Sequence, residues 1–104
     1  MKKDIVSMFK QRVLEVLKNS EPKVRFILFG SRGRGDADEF SDYDILIITS
    51  QKELNAKDKI EEIETDIFIT YNAIINSHLF SEEEIKQLAF EPFIMNALEE
   101  GVAA

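Results

Sequence analysis

The sequence contains no cysteine, one histidine, two prolines and four glycines among 104 residues. Without cysteine neither disulfides nor thiolate metal sites can form, a state compatible with a reducing cytoplasm. Long apolar runs are missing too, and no segment approaches the roughly 18 to 20 residues that a membrane span requires. The opening "MKKDIVSMFKQRVLEVLKN" begins with lysines as a secretory leader does, but Lys10, Gln11, Arg12 and Glu15 break its apolar residues. Basic residues are in deficit, 13 Lys and Arg against 20 Asp and Glu, for a formal charge of −7 and a pI near 4.7. Such a surface repels polyanions, which argues against a nonspecific grip on nucleic-acid phosphates. The expectation is a soluble, cytoplasmic protein with no membrane contact.

What is present is the composition of an ordinary globular protein. With 44% hydrophobic and 32% charged residues, readings as a disordered or low-complexity chain fail. The length suits one domain over residues 1–104, with a single economical core. Ile5, Met8, Phe9, Val13, Val16 and Leu17 recur at three- and four-residue intervals, predicting a helix over 4–18 that lies on that core. "NSEPK" supplies a turn, and the apolar "VRFILFG" predicts a strand over 24–29 ended by Gly30. A second strand is expected over 43–49, "YDILIIT", with a short helix opening at Ser31 between the two. Residues 52–63 read as a helix exposed on most of its circumference, and "TDIFITY" at 65–71 as a third strand by its β-branched and aromatic content. Ser81 followed by "EEE" starts a further helix, Pro92 suits the first turn of another, and Gly101 ends it. This order predicts an α/β sandwich (α+β) around a small mixed sheet.

The chemistry concentrates in "GSRGRGDADEFSDYDILI", residues 30–47. A Gly-Ser step from a buried strand into a helix offers backbone N–H groups and a hydroxyl to phosphate oxygens. Asp42 and Asp44, two apart on a strand, point to the same face. Two such acids repel unless something compensates them, and hard divalent cations such as Mg²⁺ take oxygen ligands of this kind, completed by substrate phosphates. Asp66 offers a third acid: if its strand pairs beside the second, it comes near Asp42 and Asp44, as a two-metal transfer site needs.

These residues resemble the signature of the DNA polymerase β-like nucleotidyltransferase superfamily, a Gly-Ser followed about ten residues later by Asp-x-Asp. The short chain resembles its minimal nucleotidyltransferase branch, the match running from Val24 to Tyr71 and more loosely to "PFIMNALEEGV". The resemblance implies that Gly30 and Ser31 hold the terminal phosphates of the nucleotide, and that Arg32 and Arg34, which with Gly35 complete a Gly-Ser-Arg-x-Arg-Gly form, bind the nucleotide with them. Position 33 is Gly where Ala is common, a departure expected to loosen the first helical turn. It further implies that Asp42 and Asp44 are the metal-binding pair, that Asp66 is the third acid that activates the acceptor hydroxyl, and that two Mg²⁺ ions serve as cofactors. The implied reaction moves a nucleoside monophosphate, AMP from ATP, onto a hydroxyl. The implied partner is a HEPN-domain protein encoded nearby, which this branch opposes as an antitoxin.

Competing readings accompany each residue. Arg32 and Arg34 can instead be surface charges paired with Asp36, Asp38 or Glu39. His78 is read as structural or exposed, Tyr43 as core on the face opposite the acids, and Phe26, Phe29, Phe68, Phe80, Phe90 and Phe93 as core or partner-facing anchors. An antitoxin that binds nucleotide without turnover is the rival function. A drug-modifying transferase ranks last, because it needs a larger acceptor domain.

Overall fold

A computed structural model describes residues 4–17, 24–38 and 41–104. Helix α1 (Ile5–Val16) starts where Asp4 accepts hydrogen bonds from the Ser7 N–H and hydroxyl, and it buries Ile5, Phe9 and Val13, one residue per turn. The expected turn at 19–23 lies outside the described residues. Strand β1 (Val24–Phe29) leads directly into helix α2 (Gly30–Arg34), and strand β2 (Tyr43–Thr49) follows. Helix α3 (Ala56–Tyr71), strand β3 (Ile75–Ser81), helices α4 (Glu82–Gln87) and α5 (Pro92–Glu100) and the short strand β4 (Val102–Ala103) complete the chain.

The sheet has four strands in the order β3-β2-β1-β4, with β1 antiparallel to both neighbours and β2 parallel to β3. Strand β2 is central, and the alternation of its side chains feeds two cores. Ile45 and Ile47 join Phe9, Val13 and α3 on one face, while Leu46 and Ile48 meet Ile85, Ile94 and Ala97 of α4 and α5 on the other. A mixed sheet between two helical layers is therefore the observed form of the expected sandwich. No described helix is long and apolar enough to cross a membrane.

Two expectations need correcting. Residues 65–71 are not a strand but the second half of α3. Ile60, Ile63 and Ile67 continue a single buried helical stripe, while Ile69 is 75% exposed, so burial along the helix overrides the β-branched content. The strand that pairs with β2 is instead Ile75–Ser81, a segment with no expected element. Asn72, in the left-handed conformation (φ 55°), ends α3 and lets the chain return parallel to β2, a connection that requires a crossover of this length. Ser81 and Glu84 form a capping box at the start of α4, and Gly101 caps α5, both where the sequence places them.

Candidate active site

The end of β1, the start of β2 and the start of β3 open onto one pole of the sheet. Phe29 pairs in register with Asp44, so the step from β1 into α2 sits directly beside the second acid. Gly30 turns the chain there at φ +70°, a conformation L side chains rarely adopt. Any Cβ at Gly30 would also collide with Asp44 Oδ2, so the bare backbone forms a cradle for that carboxylate. Gly33 has a packing role as well: an added methyl would press on the Leu28 carbonyl oxygen. Its place in the first turn of α2 is one of close approach rather than looseness.

Asp44 lies on β2 and is half-buried, while Asp42 immediately precedes the strand and is exposed. Alternation places both on the face opposite Tyr43, which packs against the α1–α3 core. The compensation that the acids demand comes from Asn76, paired in register with Asp44 on β3. Its Nδ2 donates to Asp42 Oδ2 at 3.1 Å and to Asp44 Oδ1 at 3.4 Å. One nitrogen thus reaches both carboxylates.

Asp66 does not join them. It lies on α3, the layer against the opposite sheet face, exposed and paired with Arg12 of α1 at 3.0 Å. The place expected of a third carboxylate beside Asp42 and Asp44 is occupied by the Asn76 amide. Sequence reading missed Asn76 because the parallel strand that carries it was missed. A signal was available in the Ile74–Ile75 step after a helix end, at the distance a parallel return needs.

The two arginines take different partners. Arg32 donates to the Ser41 carbonyl through Nε (3.0 Å) and Nη2 (2.8 Å) and to the Asp38 carbonyl (3.2 Å), and so ties down the loop that delivers Asp42. Arg34 pairs with Asp36 at 3.3 Å and with Glu100 at 3.6 Å, both exposed contacts. Ser31 stands in the first turn of α2, whose N–H groups have no acceptor within the helix. His78 follows Asn76 by two residues on β3 and packs edge-on against Phe93 (4.8 Å) and near Phe29 (6.3 Å), a partly buried aromatic cluster beside the acids.

A cavity of about 600 Å³ lies elsewhere, at the open edge of β3 against α3, and neither Gly30, Ser31, Asp42 nor Asp44 lines it. There Glu64 accepts from the Ser77 N–H (2.9 Å) and hydroxyl (2.8 Å). Burial pushes its carboxyl up, against the opposing pull of those two hydrogen bonds.

Among the described residues no cluster of three or more His, Cys, Asp or Glu is arranged to hold a metal. The carboxylates of Asp42 and Asp44 are nevertheless hard oxygen donors, and Mg²⁺ commonly uses one or two carboxylates with phosphates and water filling the rest. The residues present fit that ion. The model of the nucleotidyltransferase domain family matches residues 10–103. This chain belongs to that family.

The nucleotidyltransferase is 35% identical over 80 residues to "Putative protein adenylyltransferase MJ0141" of Methanocaldococcus jannaschii, covering 76% of this chain and 79% of that one. It is 38% identical over 77 residues to MJ0604 of the same organism, which carries the same description, covering 74% and 73%. Both relatives share the minimal nucleotidyltransferase type. A solved structure described as "Crystal structure of the toxin-antitoxin with AMP-PNP" shares the fold with a TM-score of 0.52 at 17% identity, over 90% of this chain and 70% of that one.

Proposed function

We propose that this nucleotidyltransferase moves AMP from ATP onto a hydroxyl of a partner protein, with pyrophosphate leaving. The observation that carries the reading is the Gly30–Asp44 cradle: a strand-to-helix turn, whose first N–H groups have no acceptor within the helix, set directly against the carboxylate of Asp44. The naming of both relatives as protein adenylyltransferases supports a protein acceptor.

In this reading Asp42 and Asp44 would hold Mg²⁺. Bound there, the ion neutralises triphosphate charge and polarises the phosphoryl group under attack. The backbone of Gly30 and Ser31 binds the phosphates from the opposite side, as preorganised donors. Arg32 orients the loop that presents Asp42, and Asn76 aligns the two acids. Asp66, on the other layer, has no part in the step. The partner completes the cleft and supplies the acceptor. A HEPN-type protein encoded nearby, neutralised by this chain as antitoxin, is the partner proposed, in keeping with the fold shared with the toxin-antitoxin structure.

A second reading has one observation in its favour. With an amide instead of a carboxylate facing Asp42 and Asp44, no third acid stands beside them among the described residues to take the acceptor proton. A nucleotide-binding antitoxin that acts by contact alone would need none. One experiment separates the two: incubation with α-labelled ATP, Mg²⁺ and the neighbouring protein. Label on the partner, lost with Asp42→Asn or Asp44→Asn, is the expected result. A tight complex that stays unlabelled overturns the enzyme reading in favour of the binder.

A further inference from the structure

Asp42 and Asp44 stand side by side on one strand face, where their charges repel. The described structure answers this with a neutral group, since one amide nitrogen carries two hydrogens and can donate to both acids at once. Only the nitrogen end of the carboxamide can donate, so the acids set its orientation. Those two hydrogen bonds engage the carboxylate face turned toward β3, where Asp44 and Asn76 are in register. A divalent cation bound from that face, through Asp42 Oδ2 and Asp44 Oδ1, would compete with the amide hydrogens for those oxygens. The other end of the side chain, Oδ1, is a hard neutral acceptor, and the terminal torsion of asparagine is broad and roughly two-fold.

We propose, on the reading that Asp42 and Asp44 hold the metal, that Asn76 is a positioning residue that makes cation binding depend on nucleotide. Without nucleotide, its amide tethers the two acids and takes the place a cation would fill. With only the two carboxylates as anionic ligands, the site holds a divalent ion weakly by itself. The triphosphate supplies the missing negative charge, so the ion arrives with the nucleotide and the amide releases the acids as it does. An aspartate at the same position would reverse this order: three carboxylates would repel one another when empty and hold a cation without nucleotide.

The test is a Mn²⁺ titration followed by the electron paramagnetic resonance of the free ion, without nucleotide. Asn76→Asp is expected to bind Mn²⁺ at least about tenfold more tightly than the unmutated protein, because affinity rises with the count of charged ligands. Equal affinity for the two overturns the inference. In the unmutated protein, the side-chain amide resonances of Asn76 are expected to shift when Mg²⁺ is added with a non-hydrolysable ATP analogue, and to stay in place with Mg²⁺ alone. A full shift with Mg²⁺ alone overturns it as well, and this readout does not depend on a variant folding. Asp44→Asn separates the two claims. If Asp44→Asn leaves the Mg²⁺ dependence of binding a fluorescent ATP analogue intact, the metal is not held by the acids and the proposed function fails. If that dependence is lost while Asn76→Asp matches the unmutated protein, only the role of Asn76 fails.

Discussion

The guanidinium of Arg32 lies over the ring of Tyr43, 3.8 Å from its centre, while its nitrogens hold the Ser41 carbonyl. Tyr43 separates Asp42 from Asp44 along the chain, so this stack and these hydrogen bonds brace the segment on which both acids stand. The arginine is engaged with protein rather than held open for phosphate.

Arg32→Ala is therefore expected to lower the rate of label transfer by about tenfold or more through displacement of Asp42. Affinity for a fluorescent ATP analogue should change far less. A loss of affinity as large as the loss of rate would instead assign Arg32 to the nucleotide.

Gly30→Ala adds a methyl at φ +70° against Asp44 Oδ2. A strained backbone of this kind costs about 1–3 kcal/mol, to be read from the urea midpoint. Transfer and nucleotide binding should both be abolished, because relief of the collision moves either the turn or the acid.

Asp66→Asn is expected to leave transfer unchanged, while Asp44→Asn removes it. The Arg12–Asp66 pair is exposed on both sides, so its loss should alter stability by less than about 1 kcal/mol. Parallel rate and melting measurements on the two variants check both halves.

Charge and pH act in opposite directions at two glutamates. Burial raises Glu64, so its charged form burdens the folded state above its folded pKa, and that burden is relieved as pH falls through it toward the ordinary value of about 4.3. As pH falls toward that ordinary value the unmutated protein should gain stability relative to Glu64→Gln. The Ser81 N–H and Lys52 lower Glu84, whose contribution is present above the ordinary value and is lost as pH falls through its folded pKa. Glu84→Gln should therefore narrow the acid-induced loss below about pH 4. Urea titrations across this range give both slopes.

Elements with strong local marks were legible in the sequence. The apolar β2 run, the Gly30 step, the Ser81 capping box and the Pro92 start each carry their own signal, and each stands where expected. The failures share one cause, in that tertiary packing decided what composition left ambiguous. Ile67, Phe68, Ile69 and Thr70 favour a strand by type, yet Ile67 is held by the α3 stripe begun at Ile60 and Ile63. Strand β3 was hidden because it lies at the sheet edge and carries Asn76, Ser77 and His78, polar side chains that serve the acids, Glu64 and the aromatic cluster. The pair Asp42 and Asp44 was legible from spacing. Its amide partner was not, since the register of a parallel strand cannot be read before the strand is known.

Thr49, where β2 ends, is five residues along the strand from Asp44, about 17 Å at the usual rise, and α4 begins beside it after β3 ends at Ser81. Leu54, 87% exposed in the connection that follows, sits at this remote pole. In a protein with no native cysteine, Leu54→Cys would create a lone thiol. A dye coupled there would sit in the connection beyond the strand that carries Asp44 and report partner docking by its fluorescence, without touching the turn at Gly30.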